Sequence, residues 1–117
     1  MWFGMLIKQE ALDKTGLEVP ETITEWHDFL AACKDAGYKE PLNYGSTYGQ
    51  IFTGIINGAY NVWDWMFVDK DGKAAWGSAQ PLAKEYLATM RKWEEEDLLN
   101  SDLVTADFNQ RMVEAIS

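Results

Sequence analysis

The stretch DKTGLEVPETITEWHDFL, residues 13–30, decides how the chain is read, because a helix end, a rigid loop and a helix start follow one another in it. The composition from Gln9 to Thr15 is helical, and Gly16 supplies the left-handed residue that closes such a helix. Pro20 imposes extended backbone on the residue before it, and Thr22 followed three positions later by Glu25 makes a capping box. A second helix therefore begins at Thr22. Trp26, Phe29, Leu30 and Cys33 recur along it at i, i+3, i+4 and i+7, one apolar face, until Gly37 stops it. Cys33 reads as a small buried hydrophobe on that face, and His27 falls on the solvated side.

Working outward, MWFGMLIK, residues 1–8, is a short apolar run broken by Gly4, which predicts a buried strand rather than a helix. PLNYGSTYGQ, residues 41–50, predicts a short extended piece and a small-residue turn into an apolar helix, IFTGIINGAY. Gly54 and Gly58 within it suggest close packing against another element. VWDWMFVDKDGKAAWG, residues 62–77, alternates large residues around Asp71 and Gly72, the pattern of a β-hairpin with a tight turn. Pro81 suits the first turn of a long helix whose Leu82, Tyr86, Met90 and Trp93 form one stripe. The acidic residues Glu94, Glu95, Glu96 and Asp97 close it as a solvated face. A last amphipathic helix is expected from about Thr105, with Phe108, Met112 and Ile116 on one side.

The whole is an α/β chain, mainly helical, with a short strand set and a hairpin. Its 117 residues and 47% hydrophobic content suit a single domain with one modest core. Acidic residues outnumber basic ones 19 to 10, so the net charge of -9 repels phosphates and anionic lipid, and no nucleic-acid partner is expected. No apolar run approaches the roughly 18 residues of a membrane span, and the first residues lack the order of a signal peptide. The lone Cys33 excludes an intramolecular disulfide and leaves the compartment open.

Catalytic chemistry is thin. His27 has no nucleophile signature to serve, DKDG at residues 69–72 lacks the later ligands of a calcium loop, and adjacent helical carboxylates point apart. No cofactor, metal or enzymatic activity is expected. The best binding candidate is NYGSTYGQ, residues 43–50, where small residues let backbone approach a ligand and Asn43, Ser46, Thr47, Tyr48 and Gln50 offer neutral hydrogen-bonding groups beside aromatic rings. That chemistry suits a polyhydroxylated neutral ligand. An ordinary strand-to-helix turn explains the same residues equally well.

The segment LDKTGLEVPETITEWHDFLAACKDAGY, residues 12–38, resembles a stretch typical of extracellular solute-binding proteins of carbohydrate ABC importers. EPLNYG at residues 40–45, the span 67–103 with its hairpin, long helix and WEEEDLLNSD ending, and FNQRMVEAIS at residues 108–117 resemble later parts of that family in the same order. Asp97 stands where the family often has Gly. The resemblance implies a partial second lobe of a two-lobed periplasmic-binding-protein-like fold, with residues 1–8 as a hinge strand and residues 9–117 as the lobe body. It implies a cell-surface lipoprotein or periplasmic receptor that captures a carbohydrate, in particular an oligosaccharide, and passes it to a membrane permease. On this reading Tyr44, Ser46, Thr47 and Tyr48 line the ligand side, Trp2 and Phe3 lie near the hinge, and Trp63 and Trp65 are stacking platforms. A lobe lacking its neighbours is expected to self-associate as a dimer. The alternative is a stand-alone protein-interaction domain with an aromatic surface; a glycosidase would need Asp64 and a second carboxylate in one cleft.

Overall fold

The computed structural model describes residues 5–43, 56–63, 65–102, 105, 107, 109, 110, 113 and 114. Helix α1, Gln9–Thr15, carries Glu10 in its first turn and Lys14 in its last, paired at 2.6 Å, and ends with the Gly16 N–H donating to the Leu12 carbonyl. Its single buried residue, Ala11, faces the core, and the helix packs on α2, Ile23–Asp35.

The start of α2 is the expected capping box. Thr22 Oγ1 accepts from the Glu25 N–H at 3.2 Å, and Glu25 Oε2 accepts from the Thr22 N–H at 3.0 Å and the Glu21 N–H at 2.8 Å. Trp26, Phe29, Leu30 and Cys33 are the buried residues, with Trp26 and Phe29 edge to face at 6.2 Å. The helix closes in a Schellman motif: Gly37 donates to Lys34 and Tyr38 to Cys33. Beyond it, Leu42 makes an isolated parallel bridge to Leu99, and its N–H reaches the Leu98 carbonyl at 2.9 Å.

A 3-10 turn over Ile56–Tyr60 takes the second half of the expected apolar helix, whose first half, residues 51–55, lies outside the described residues; Ile56 and Asn57 are buried in it. Gly54 lies outside the described residues, and a Cβ on Gly58 would only touch the Trp63 ring at 3.5 Å, so Gly58 is not required by packing. The hairpin is present: β1, Met66–Val68, pairs antiparallel with β2, Ala74–Trp76, in the register Met66 with Trp76 and Val68 with Ala74. Its turn is wider than a two-residue one. Gly72 donates to the Asp69 carbonyl and Asp69 to the Lys73 carbonyl, while Asp69 Oδ1 accepts from the Asp71 and Lys73 N–H groups. Gly72, at φ 76, is the left-handed third residue of that loop.

A second 3-10 turn, Gly77–Ala79, leads to α3, Ala83–Glu95. The expected stripe of α3 is corrected at one position: Leu82 is 40% exposed, and Ala83 takes the buried place beside Tyr86, Met90 and Trp93. Pro81 lies before the first helical turn, not in it. The end of α3 repeats the α2 closure, with Asp97 donating to Glu94 and Leu98 to Trp93, but the left-handed position is held by Asp97 at φ 55. The chain thus keeps the turn with a residue less suited to it.

The core is one cluster, in which Trp93, Tyr86, Leu30, Ile56, Leu98 and Val62 are the largest apolar side chains fully withdrawn from solvent. Tyr60 ties the first 3-10 turn to α3 through a 2.8 Å hydrogen bond with Thr89 and a tilted ring contact with Tyr86. Among the described residues the fold is therefore mixed α/β and mainly helical, with three α-helices and a two-stranded antiparallel sheet. Residues 5–8 carry no strand. Met5 and Ile7 instead pack against the core and Leu6 is 70% exposed, since an apolar run becomes a strand only where a partner supplies the ladder. Asn109, Gln110, Val113 and Glu114 are helical, and Phe108, Met112 and Ile116 lie outside the described residues. No helix among those described is long and apolar enough to cross a membrane.

Candidate functional site

Of the residues to which ligand contact was assigned, Trp2, Phe3, Tyr44, Ser46, Thr47 and Tyr48 lie outside the described residues, as do Gln50 and Asp64. Asn43, at the edge of that loop, is exposed and donates from Nδ2 to the Glu40 carbonyl at 3.2 Å. Trp63 and Trp65 are both described, and they differ. Trp63 is half-buried, with its indole against Gly58 and its backbone against Gly77 so closely that a Cβ on Gly77 would overlap the Trp63 carbonyl. It is a structural anchor on one side and a partial surface on the other. Trp65 is 54% exposed, and its carbonyl accepts from the Gly77 N–H at 3.0 Å.

That hydrogen bond brings in a residue missing from the expected site, Trp76, which is 52% exposed. It pairs across the strands with Met66, and the exposed positions Met66, Val68 and Trp76 alternate with half-buried Phe67 and Ala75. A two-residue turn at Asp71 and Gly72 would set Trp76 opposite Phe67; the three-residue loop 70–72 shifts the register by one and sets it opposite Met66. The open end of the hairpin thus presents two half-exposed indoles on backbone held by Gly77.

A second concavity, about 410 Å³, is lined by Lys34, Tyr38, Lys39, Glu40, Asp97, Leu99 and Ser101. Two of its four charges, Lys34 and Asp97, pair with each other. Lys34 Nζ donates to Asp97 Oδ2 at 3.1 Å and to the Glu96 carbonyl at 2.7 Å, and Glu40 Oε1 accepts from the Ser101 N–H at 3.3 Å.

His27 corrects an expectation. Its side chain is only 28% exposed, not solvated; Nε2 meets Glu96 Oε2 at 2.7 Å and Nδ1 meets Asp28 Oδ1 at 3.2 Å. Glu96, then Asp28, holds the imidazolium to a pH above the usual 6.5 against a smaller opposing effect of burial. Glu96 also departs from the solvated acidic face, whereas Glu94 and Glu95 are exposed and Glu95 pairs with Arg91 at 2.9 Å. Cys33 is buried, and burial pushes its thiol up, so it is not poised as a nucleophile. Among the described residues no group of His, Cys, Asp or Glu is arranged to hold a metal ion. Comparison of the chain with protein-family models, with curated proteins and with solved structures found no match.

Proposed function

We propose that this chain is a carbohydrate-capturing element, part of the second lobe of a two-lobed receptor that works outside the cytoplasm and delivers an oligosaccharide to the permease of an ABC importer. The supporting observation is the open end of the hairpin, where Trp65 and Trp76, 54% and 52% exposed, sit on backbone anchored by Gly77. Indole faces suit the C–H faces of sugar rings, and a side chain with only two torsions loses little freedom when a ligand stacks on it. The neutral groups of residues 43–50 would supply hydrogen bonds to hydroxyls, and closure of a second lobe would remove water. The net charge of -9 favours a neutral ligand over an anionic one.

Tryptophan fluorescence during titration with a panel of neutral oligosaccharides tests the reading. Quenching that saturates, and that weakens about tenfold or more in Trp65→Ala or Trp76→Ala, is expected. If no panel member binds more tightly than millimolar, the receptor reading fails. A second reading, a protein-interaction module, is favoured by Met66 and Val68, 65% and 71% exposed on the Trp76 side of the hairpin. Replacing these two with Ser leaves sugar stacking intact but removes a protein contact, which separates the two. The exposed Leu6, next to Met5 and Ile7, also offers an apolar segment to a second copy, so the chain is expected to dimerise in light scattering across a concentration series.

A further inference from the structure

We infer that His27 and Glu96 form a proton-dependent latch, which fastens the end of α3 to the middle of α2 and sets the course of the chain that follows. Both ring nitrogens of the chain's only histidine face carboxylates: Glu96 at 2.7 Å from Nε2 and Asp28 at 3.2 Å from Nδ1. An imidazolium donates from both nitrogens and satisfies both contacts, whereas the neutral ring donates from one and turns a lone pair toward the other carboxylate. The geometry therefore distinguishes the two protonation states. The charged groups facing the imidazole among the described residues are Asp28 on α2 and Glu96 and Lys92 on α3, with Lys92 opposing its charge. Lys92 Nζ lies 3.7 Å from the second oxygen of Glu96, and the Trp93 ring lies beside the imidazole, tilted by 41°, at 6.4 Å between centroids.

Glu96 is where such a latch has leverage. It is the C-cap of α3, its carbonyl accepts from Lys34 Nζ, and Asp97 takes the left-handed turn immediately after it. Leu98 and Leu99 are then buried, and Leu99 bridges to Leu42. Releasing the Glu96 side chain loosens the segment that carries Asp97, Leu99 and Ser101 into the wall of the 410 Å³ concavity. The direction follows from linkage. His27 is raised above 6.5, so its contribution is complete below pH 6.5 and is lost as pH rises through the folded value. Glu96 is lowered below 4.5, chiefly by His27, so its contribution is present above pH 4.5 and is lost as pH falls through its folded value. The latch is fastened in mild acid and slackens toward alkaline pH.

An NMR titration of the wild-type chain from about pH 5 to about pH 9 follows the His27 ring protons together with backbone amides. The expected result is a His27 midpoint above 6.5, with the amides of Asp97 and Leu98 moving at the same midpoint. In Glu96→Gln the midpoint falls toward 6.5 and the two amides no longer follow it. A wild-type midpoint at or below 6.5, or amides of Asp97 and Leu98 that stay still while the ring titrates, overturns the latch. Melting supplies a second measurement: the wild-type midpoint temperature falls as pH rises through the His27 transition, and the His27→Gln profile is flatter there. An equally steep fall in His27→Gln also overturns it. Should that variant not fold, the wild-type and Glu96→Gln titrations decide.

Discussion

Gly77→Ala is the substitution that most directly tests how the hairpin is held. A Cβ at this position would overlap the Trp63 carbonyl oxygen and stand 2.5 Å from its carbonyl carbon and 2.7 Å from its Cα. The obstacle is backbone, so no side-chain rotation relieves it, and reaching ordinary contact requires a main-chain shift of about 1 Å. Overpacking of this kind costs about 1–3 kcal/mol. The shift also endangers the Gly77 to Trp65 hydrogen bond, worth about 1 kcal/mol, while the lost freedom of the unfolded chain returns about 0.4–1 kcal/mol. The net expectation is a destabilisation of about 2 kcal/mol, or roughly 6–12 °C in melting temperature for a chain of this size. Circular dichroism melts of Gly77→Ala beside Gly58→Ala are the assay, because the added methyl of the latter meets only the Trp63 ring at 3.5 Å. A Gly77→Ala variant that melts with Gly58→Ala would show that Trp63 does not lie against the first residue of the second 3-10 turn.

Trp26→Ala should cost about 3–5 kcal/mol, since Trp26 is 8% exposed, whereas Trp65→Ala should change stability by less than about 0.5 kcal/mol; equal melting temperatures would contradict the burial described. The Glu21 and Thr22 N–H groups hold the Glu25 carboxyl below its usual 4.5, so its stabilising effect is present above pH 4.5 and is lost as pH falls through the folded value. Wild type should therefore lose stability in acid more steeply than Glu25→Gln, and parallel curves would count against the capping box. Asp97→Gly should stabilise by about 0.5–1 kcal/mol in chemical denaturation, because relief of the φ 55 backbone outweighs the exposed 3.1 Å pair with Lys34; a destabilised variant would mean the pair matters more than the turn.

Local chemistry decided what the sequence could determine. The α2 capping box, the Gly16 and Gly37 closures, the Trp26 to Cys33 face and the hairpin about Asp71 and Gly72 each depend on residues within one or two turns of one another. Backbone sterics and hydrogen-bond geometry act over that distance whatever surrounds them. The same reasoning placed Trp76 in the second strand of the hairpin but not its partner, because the loop is one residue longer than a tight turn and pairs Trp76 with Met66 rather than Phe67, and its exposure depends on what covers the sheet. Tertiary structure decided the rest. His27 meets Glu96 across 69 residues, Leu42 bridges to Leu99, and Gly77 must be glycine because the backbone of Trp63 crosses it. Periodicity assigned His27 to a solvated face because it registers which side of its own helix a residue occupies, not which element arrives there. Residues 5–8 make the same point: an apolar run is compatible with a strand, but only a neighbouring ladder makes it one, and here Met5 and Ile7 pack on the core instead.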